Sequence, residues 1–165
     1  MKSAWTALLA AGSILVLAAC GNGDGEAGGD EAAAGGGVTI SAEASELGEM
    51  VVDAEGRTLY AFLPDDQGAS TCYDDCAATW PALVVERGDP TAGDGVDTEL
   101  LGTTERDDGA LQVTYGDWPL YYFANDETAD DVNGQGVGDV WYVVSPDGSP
   151  LQDAGTAKGG GYGMG

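Results

Sequence analysis

Leu59-Tyr60-Ala61-Phe62-Leu63-Pro64-Asp65 returns as Leu120-Tyr121-Tyr122-Phe123-Ala124-Asn125-Asp126, 61 residues on (121 − 60 = 61). The same offset carries Val52 onto Val113, Met50 onto Leu111 and Trp80 onto Trp141, with no gap between Met50 and Trp80. In each copy the Tyr and the Phe stand two apart, which in a strand places both rings on one sheet face. The Asp three residues beyond Phe then falls where the strand runs out into a loop. A repeated unit of this kind cannot bury its apolar face alone, so the two copies are expected to pack on each other.

Strand signals fill both units. Val38 to Ala44 reads as a first strand. Glu49 to Asp53 leads through Ala54-Glu55-Gly56 into Arg57 to Leu63, a hairpin with Gly at its turn. The second unit echoes this, with Glu99 to Glu105, then Ala110 to Tyr115, then Gly116-Asp117 turning into Trp118 to Ala124. Each closes with a strand at its Trp end, Ala82 to Glu86 and Val140 to Ser145, and Ser149 to Gln152 reads as a short terminal strand. The fold class expected is all-β, two pseudo-symmetric antiparallel units of about four strands packed as a sandwich or barrel. The domain spans 38–154, with repeat 1 at about 38–88 and repeat 2 at about 99–152.

The N-terminus reads as an export signal over 1–19. Lys2 supplies a positive start, an apolar run follows, and Leu17-Ala18-Ala19-Cys20 resembles the lipobox of bacterial lipoproteins, whose cysteine is acylated. The apolar run falls short of the ~20 residues that a membrane span needs. The expectation is a chain beginning at Cys20, lipid-anchored at the extracytoplasmic face of a bacterial membrane. Residues 20–37 are rich in Gly, Ala, Asp and Glu and read as a disordered tether, with a coil reach of about 20–25 Å. Residues 155–165 read as a second loose, Gly-rich tail.

All 29 acidic residues lie beyond Cys20, against four of the five basic ones, so that part carries 4 − 29 = −25. Such a field repels phosphate backbones and excludes nucleic acid as a partner, while it attracts cations and basic peptides. It also serves simple solubility. The chain has no His. That removes Ser-His-Asp and Cys-His hydrolases, His-ligated haem and the usual catalytic zinc sites. No nucleophile with an adjacent base is visible, and no catalytic residue is assigned.

Each unit carries a loop of about fifteen residues between its aromatic motif and its Trp, and binding favours loops on a rigid scaffold. The first holds Cys72 and Cys76. In an exported, oxidising setting this even pair reads as a local disulfide. The alternative is a redox or soft-metal site, helped by Asp74 and Asp75. Three residues separate the cysteines, unlike the two of a thioredoxin-type motif. In the second loop Asp131-x-Asn133-x-Gln135-Gly136, with Asp139 at the ninth position, matches the first half of a calcium loop. Its twelfth position would be Tyr142 where a bidentate Glu is needed, and an Asx- and Gly-stabilised turn is the competing reading. A divalent cation is the one cofactor considered. Asp65 and Asp126 are either turn caps or a paired carboxylate site, and Tyr60, Phe62, Trp80, Tyr121, Phe123 and Trp141 are either a shared core or a stacking surface for a ligand.

Tyr60-x-Phe62-x-x-Asp65 and Tyr121-x-Phe123-x-x-Asp126 resemble the Tyr-x-aromatic-x-x-Asp motif of a bacterial family of secreted-repeat lipoproteins. Ser70-x-Cys72-x-x-x-Cys76-Ala77-x-x-Trp80-Pro81 and Gly134-Gln135-Gly136 ahead of Trp141 resemble it too. The resemblance implies an exported lipoprotein without an assigned biochemical role. The second unit keeps no cysteine pair, so any cysteine chemistry belongs to the first loop. The function expected is a non-enzymatic binding or envelope-structural module. The alternative is a metal-binding or redox accessory protein using Cys72 and Cys76 or the acidic loop 126–139.

Overall fold

The computed structural model describes residues 37–65 and 68–153. The expected signal peptide, Cys20 with nearly all of its linker, and the Gly-rich tail lie outside the described residues. Nine strands and one short helix form the framework of the described part. They are β1 (Thr39–Ser45), β2 (Gly48–Asp53), β3 (Tyr60–Phe62), α1 (Asp75–Thr79), β4 (Val84–Val85), β5 (Thr91–Ala92), β6 (Leu101–Glu105), β7 (Leu111–Tyr115), β8 (Trp118–Tyr121) and β9 (Trp141–Val143). Among the described residues no helix is long and apolar enough to cross a membrane.

The all-β, two-unit expectation holds. One sheet has the order β2-β1-β5 and the other β4-β7-β8-β3-β9, with β6 also on β7. The units correspond in their leading hairpins: β1 pairs antiparallel with β2 as β6 pairs with β7. The hairpin after β2 forms through an antiparallel bridge from Val52 to Thr58, and Gly56 supplies the positive φ at its turn.

The two units do more than face each other, for each lends its Trp strand to the other. β3 of the first unit lies between β8 and β9 of the second, with Tyr60 opposite Tyr121 and Phe62 opposite Trp141. The backbone bonds that join them occur twice. Leu63 N–H donates to Val140 O (2.8 Å), and at the matching positions Ala124 N–H donates to Thr79 O (2.9 Å). Val144 N–H donates to Leu59 O as Leu83 N–H donates to Leu120 O. Pseudo-symmetry therefore reaches the hydrogen-bond ladder itself.

Several strands are shorter than their sequence patterns. Ser149 to Gln152 does not form a strand, leaving one isolated bridge between Val144 and Pro150. The bridge is held by Ser145 N–H donating to Ser149 O (2.9 Å) and Leu151 N–H donating to Val143 O (2.8 Å). The first loop holds the helical turn α1, which no periodicity announced. β5, parallel to β1, was equally unannounced, since two residues are too few to show alternation.

The core has two lobes. Ile40, Val51, Leu59, Ala61, Leu83, Val113, Tyr115, Leu120 and Val144 are among the residues of one lobe. The other gathers Met50, Val52, Tyr60, Cys72, Trp80, Tyr121, Phe123, Trp141 and Val143. All six aromatic residues of the motif pack in or against the second lobe, on the unit interface.

Candidate functional site

Four rings run through the unit interface as one column: Phe62, Trp141, Trp80, Phe123. Successive centroids are 4.1, 3.8 and 4.3 Å apart, with planes 19°, 4° and 28° from parallel. Each Trp thus stacks on the Phe of the other unit, and the two indoles meet at the centre. Tyr60 stands edge-on to Trp80 (5.4 Å, 77°) and Tyr121 edge-on to Trp141 (5.2 Å, 89°). Such contacts add ~0.5–1.5 kcal/mol each beyond area burial. Close approach here requires Gly134, because a Cβ at that position would lie 2.8 Å from both the Trp80 and Tyr60 rings.

The phenols complete the exchange. Tyr60 OH donates to Asp126 Oδ2 (2.7 Å), and Tyr121 OH donates to Asp65 Oδ2. Each carboxylate also holds its own loop. Asp65 Oδ1 accepts from the backbone N–H of Thr71 (2.7 Å) and from its hydroxyl, while Asp126 Oδ1 accepts from the N–H of Asn133 (3.0 Å). Asp65 and Asp126 are therefore loop clasps bonded to the partner unit's tyrosine, not a mutual acid pair. Burial raises both phenols above the tyrosine range, and the adjoining carboxylates push them further. Burial likewise raises Asp126, against the bonds from Tyr60 and Asn133 that favour its charge.

Below the first loop the two clasps differ. Arg106 is buried, a cation that sequence reasoning did not single out. Its Nη1 donates to Ser70 Oγ (2.7 Å) and Gln112 Oε1 (2.7 Å), and its Nη2 donates to Cys72 O (2.9 Å). The Ser70 hydroxyl lies 2.7 Å from Tyr121 OH, so a single chain of bonds runs Arg106, Ser70, Tyr121, Asp65. The guanidinium also lies 4.5 Å from the Tyr73 ring centroid. Arg106 maps onto Ser45 by the repeat offset, so no internal comparison pointed to it. The available signal was its rarity, one of four basic residues beyond Cys20.

Cys72 and Cys76 form a disulfide, with Cys72 fully buried against the aromatic lobe. In the second loop the calcium-like residues do not converge. Asp131 Oδ2 accepts the backbone N–H groups of Glu127 and Thr128 (both 2.9 Å), bonds that lower its pKa. Gln135 is buried and bridges Val143 N–H and Leu151 O. Asn133 Nδ2 reaches Asn125 O, and Asp139 lies in a 3-10 turn at Val137–Asp139. The Asx- and Gly-stabilised turn is the reading the geometry takes. Among the described residues no group of three or more Cys, Asp or Glu is placed to hold a metal ion.

A family model described as a secreted repeat of unknown function matches this chain twice, over residues 41–84 and 102–145. The chain belongs to that family, and the two matches are the two units of the fold. Its secreted character puts the domain outside the cytoplasm. No curated protein and no solved structure matches the chain.

Proposed function

We propose that this protein is a non-catalytic envelope module, held to a bacterial membrane by acyl chains on Cys20 and presenting a rigid two-repeat domain beyond it. One observation carries the reading. The phenols and carboxylates that a catalytic site would need free are bonded across the unit interface, Tyr60 to Asp126 and Tyr121 to Asp65. A satisfied buried network of this kind rigidifies a fold. Recognition then falls to the loops and to a strongly acidic surface, whose charge favours cationic partners and disfavours nucleic acid. The metal or redox alternative is less well supported, because Cys72 is buried in a disulfide and Asp126 and Asp131 of the second loop bind backbone N–H groups.

Two measurements on the full-length chain test the reading. Cells fed a labelled fatty acid should yield labelled protein in the membrane fraction, and Cys20→Ser should yield unlabelled protein outside it. Unlabelled, soluble wild-type protein would remove the anchor. Hydrogen exchange should show the amides of Leu63 and Ala124 among the slowest, and exchange as fast as at exposed loop amides would remove the rigid scaffold.

A further inference from the structure

Beside the column of rings stands a phenol whose proton has somewhere to go. Tyr60 stands edge-on to Trp80, Trp80 faces Trp141, and Trp141 stacks on Phe62, which is partly exposed. A one-electron oxidant at the surface beside Phe62 is thus one ring away from Trp141. Beyond the indoles, the Tyr60 hydroxyl donates to Asp126 Oδ2 at 2.7 Å and accepts the Gly134 N–H at 3.2 Å. We propose that this constellation is a one-electron donor site, in which Trp141 and Trp80 pass an electron outward and Tyr60, coupled to Asp126, is the terminal donor.

The balance is simple. A metal-based one-electron oxidant takes an electron from the indole pair and is reduced by one unit of charge. Tyr60 refills the indole, and its phenolic proton crosses the existing hydrogen bond to Asp126 Oδ2. A neutral tyrosyl radical and a neutral carboxylic acid remain. No bond other than the O–H breaks, and the Gly134 N–H stays on the radical's oxygen. An oxidised phenol is a far stronger acid than a phenol, so a carboxylate in contact with it is a sufficient base.

The two clasps are unequal for this purpose, which makes the inference specific. Asp126 accepts from the Tyr60 hydroxyl on one oxygen and from the Asn133 N–H on the other. Asp65 accepts from Tyr121 and from both the Thr71 N–H and the Thr71 hydroxyl, so a proton arriving there competes with an additional donor. Tyr60, not Tyr121, is therefore the donor, although repeat symmetry makes the two look equivalent.

The test photo-oxidises the full-length chain with flash-generated tris(bipyridine)ruthenium(III), and reads the radical by electron paramagnetic resonance after rapid freezing. Wild type and Tyr121→Phe should give a neutral tyrosyl signal. In Tyr60→Phe and Asp126→Asn it should form about tenfold more slowly, leaving tryptophan radical in its place. Asp126→Asn keeps an acceptor oxygen for the hydroxyl but cannot take its proton, so it separates chemistry from folding. An unchanged tyrosyl signal in Tyr60→Phe, or equal loss in Tyr121→Phe, would overturn the assignment. The unmutated chain supplies a check independent of folding: tyrosyl formation must slow in D2O, and equal rates in the two solvents would also overturn it.

Discussion

Trp80 and Trp141 occupy the same position of the two repeats and lie face to face, centroids 3.8 Å apart and planes 4° from parallel. The contact is possible because each Trp strand crosses to the other unit, so the residues that define one repeat are completed by the other. A single repeat would expose an indole, a phenylalanine and an unpartnered phenol. The pair is therefore the cooperative centre of the domain.

Removing either indole should unfold both units together. Trp80→Ala or Trp141→Ala takes away a side chain that is 4 % exposed and opens a cavity on the interface, at a cost of ~3–5 kcal/mol. Denaturant unfolding should stay single-step with a lowered midpoint. Two separate transitions, one per repeat, would contradict the shared core.

The two tyrosine clasps should differ in strength. Tyr121–Asp65 is fully buried, and a hydrogen bond to a charged group there contributes ~2–3 kcal/mol. Tyr60–Asp126 has a half-buried carboxylate, and its coupling should be about 1 kcal/mol after solvent screening. Double-mutant cycles with Tyr→Phe and Asp→Asn measure both. Equal couplings would mean that burial does not set the difference.

The repeat was legible because hydrophobic spacing, aromatic pairs and turn glycines are local signals that survive in both copies. The strand positions, the Gly56 hairpin and the shared aromatic core followed from them. The exchange of Trp strands was not legible, since pairing within a unit and pairing between units leave the same pattern of inward residues. Arg106 was missed for a related reason: a buried cation is defined by partners at Ser70, Cys72 and Gln112 that nothing in its own neighbourhood names. The calcium-like spacing in the second loop is ambiguous for the opposite reason. Its Asx residues are there to satisfy backbone N–H groups, which demands the same residue types as a cation site.

Asp131 should accordingly stabilise the loop whether or not calcium is present. Asp131→Ala loses the bonds to Glu127 and Thr128, so its melting midpoint should fall by the same amount in calcium and in chelator. A larger fall in calcium would restore the metal reading.

Alkaline pH should unfold the domain. Tyr60, Tyr121 and Tyr122 keep their protons above the ordinary value of 10.0, chiefly through burial and next through the carboxylates of Asp126, Asp65 and Asp53. Folded values raised above unfolded ones give stability that is fully present below that value and lost as pH rises above it. Each phenol contributes a slope of up to ~1.4 kcal/mol per pH unit once the unfolded chain ionises. Tyr60→Phe should shrink the total slope by about a third, its share of three equal contributions. Stability unchanged up to about pH 11.5 would show that the phenols ionise alike in both states.

Arg106 should matter more than the disulfide beside it. The Cys72–Cys76 ring is small, so on the chain-entropy model it constrains the unfolded chain by only ~2 kcal/mol. Asp65 and Arg106 also hold the same loop from either side, at Thr71 and at the Cys72 carbonyl. Arg106→Leu removes the donors to Ser70, Gln112 and Cys72 at once, leaving buried acceptors unpaired. Leaving buried acceptors unpaired costs ~1–3 kcal/mol each, which together exceeds the contribution of the disulfide ring. Denaturant midpoints for Arg106→Leu and for Cys72→Ser with Cys76→Ser should therefore rank with the arginine variant lower. The opposite order would mean that the covalent link, and not the buried guanidinium, holds the first loop on the aromatic core.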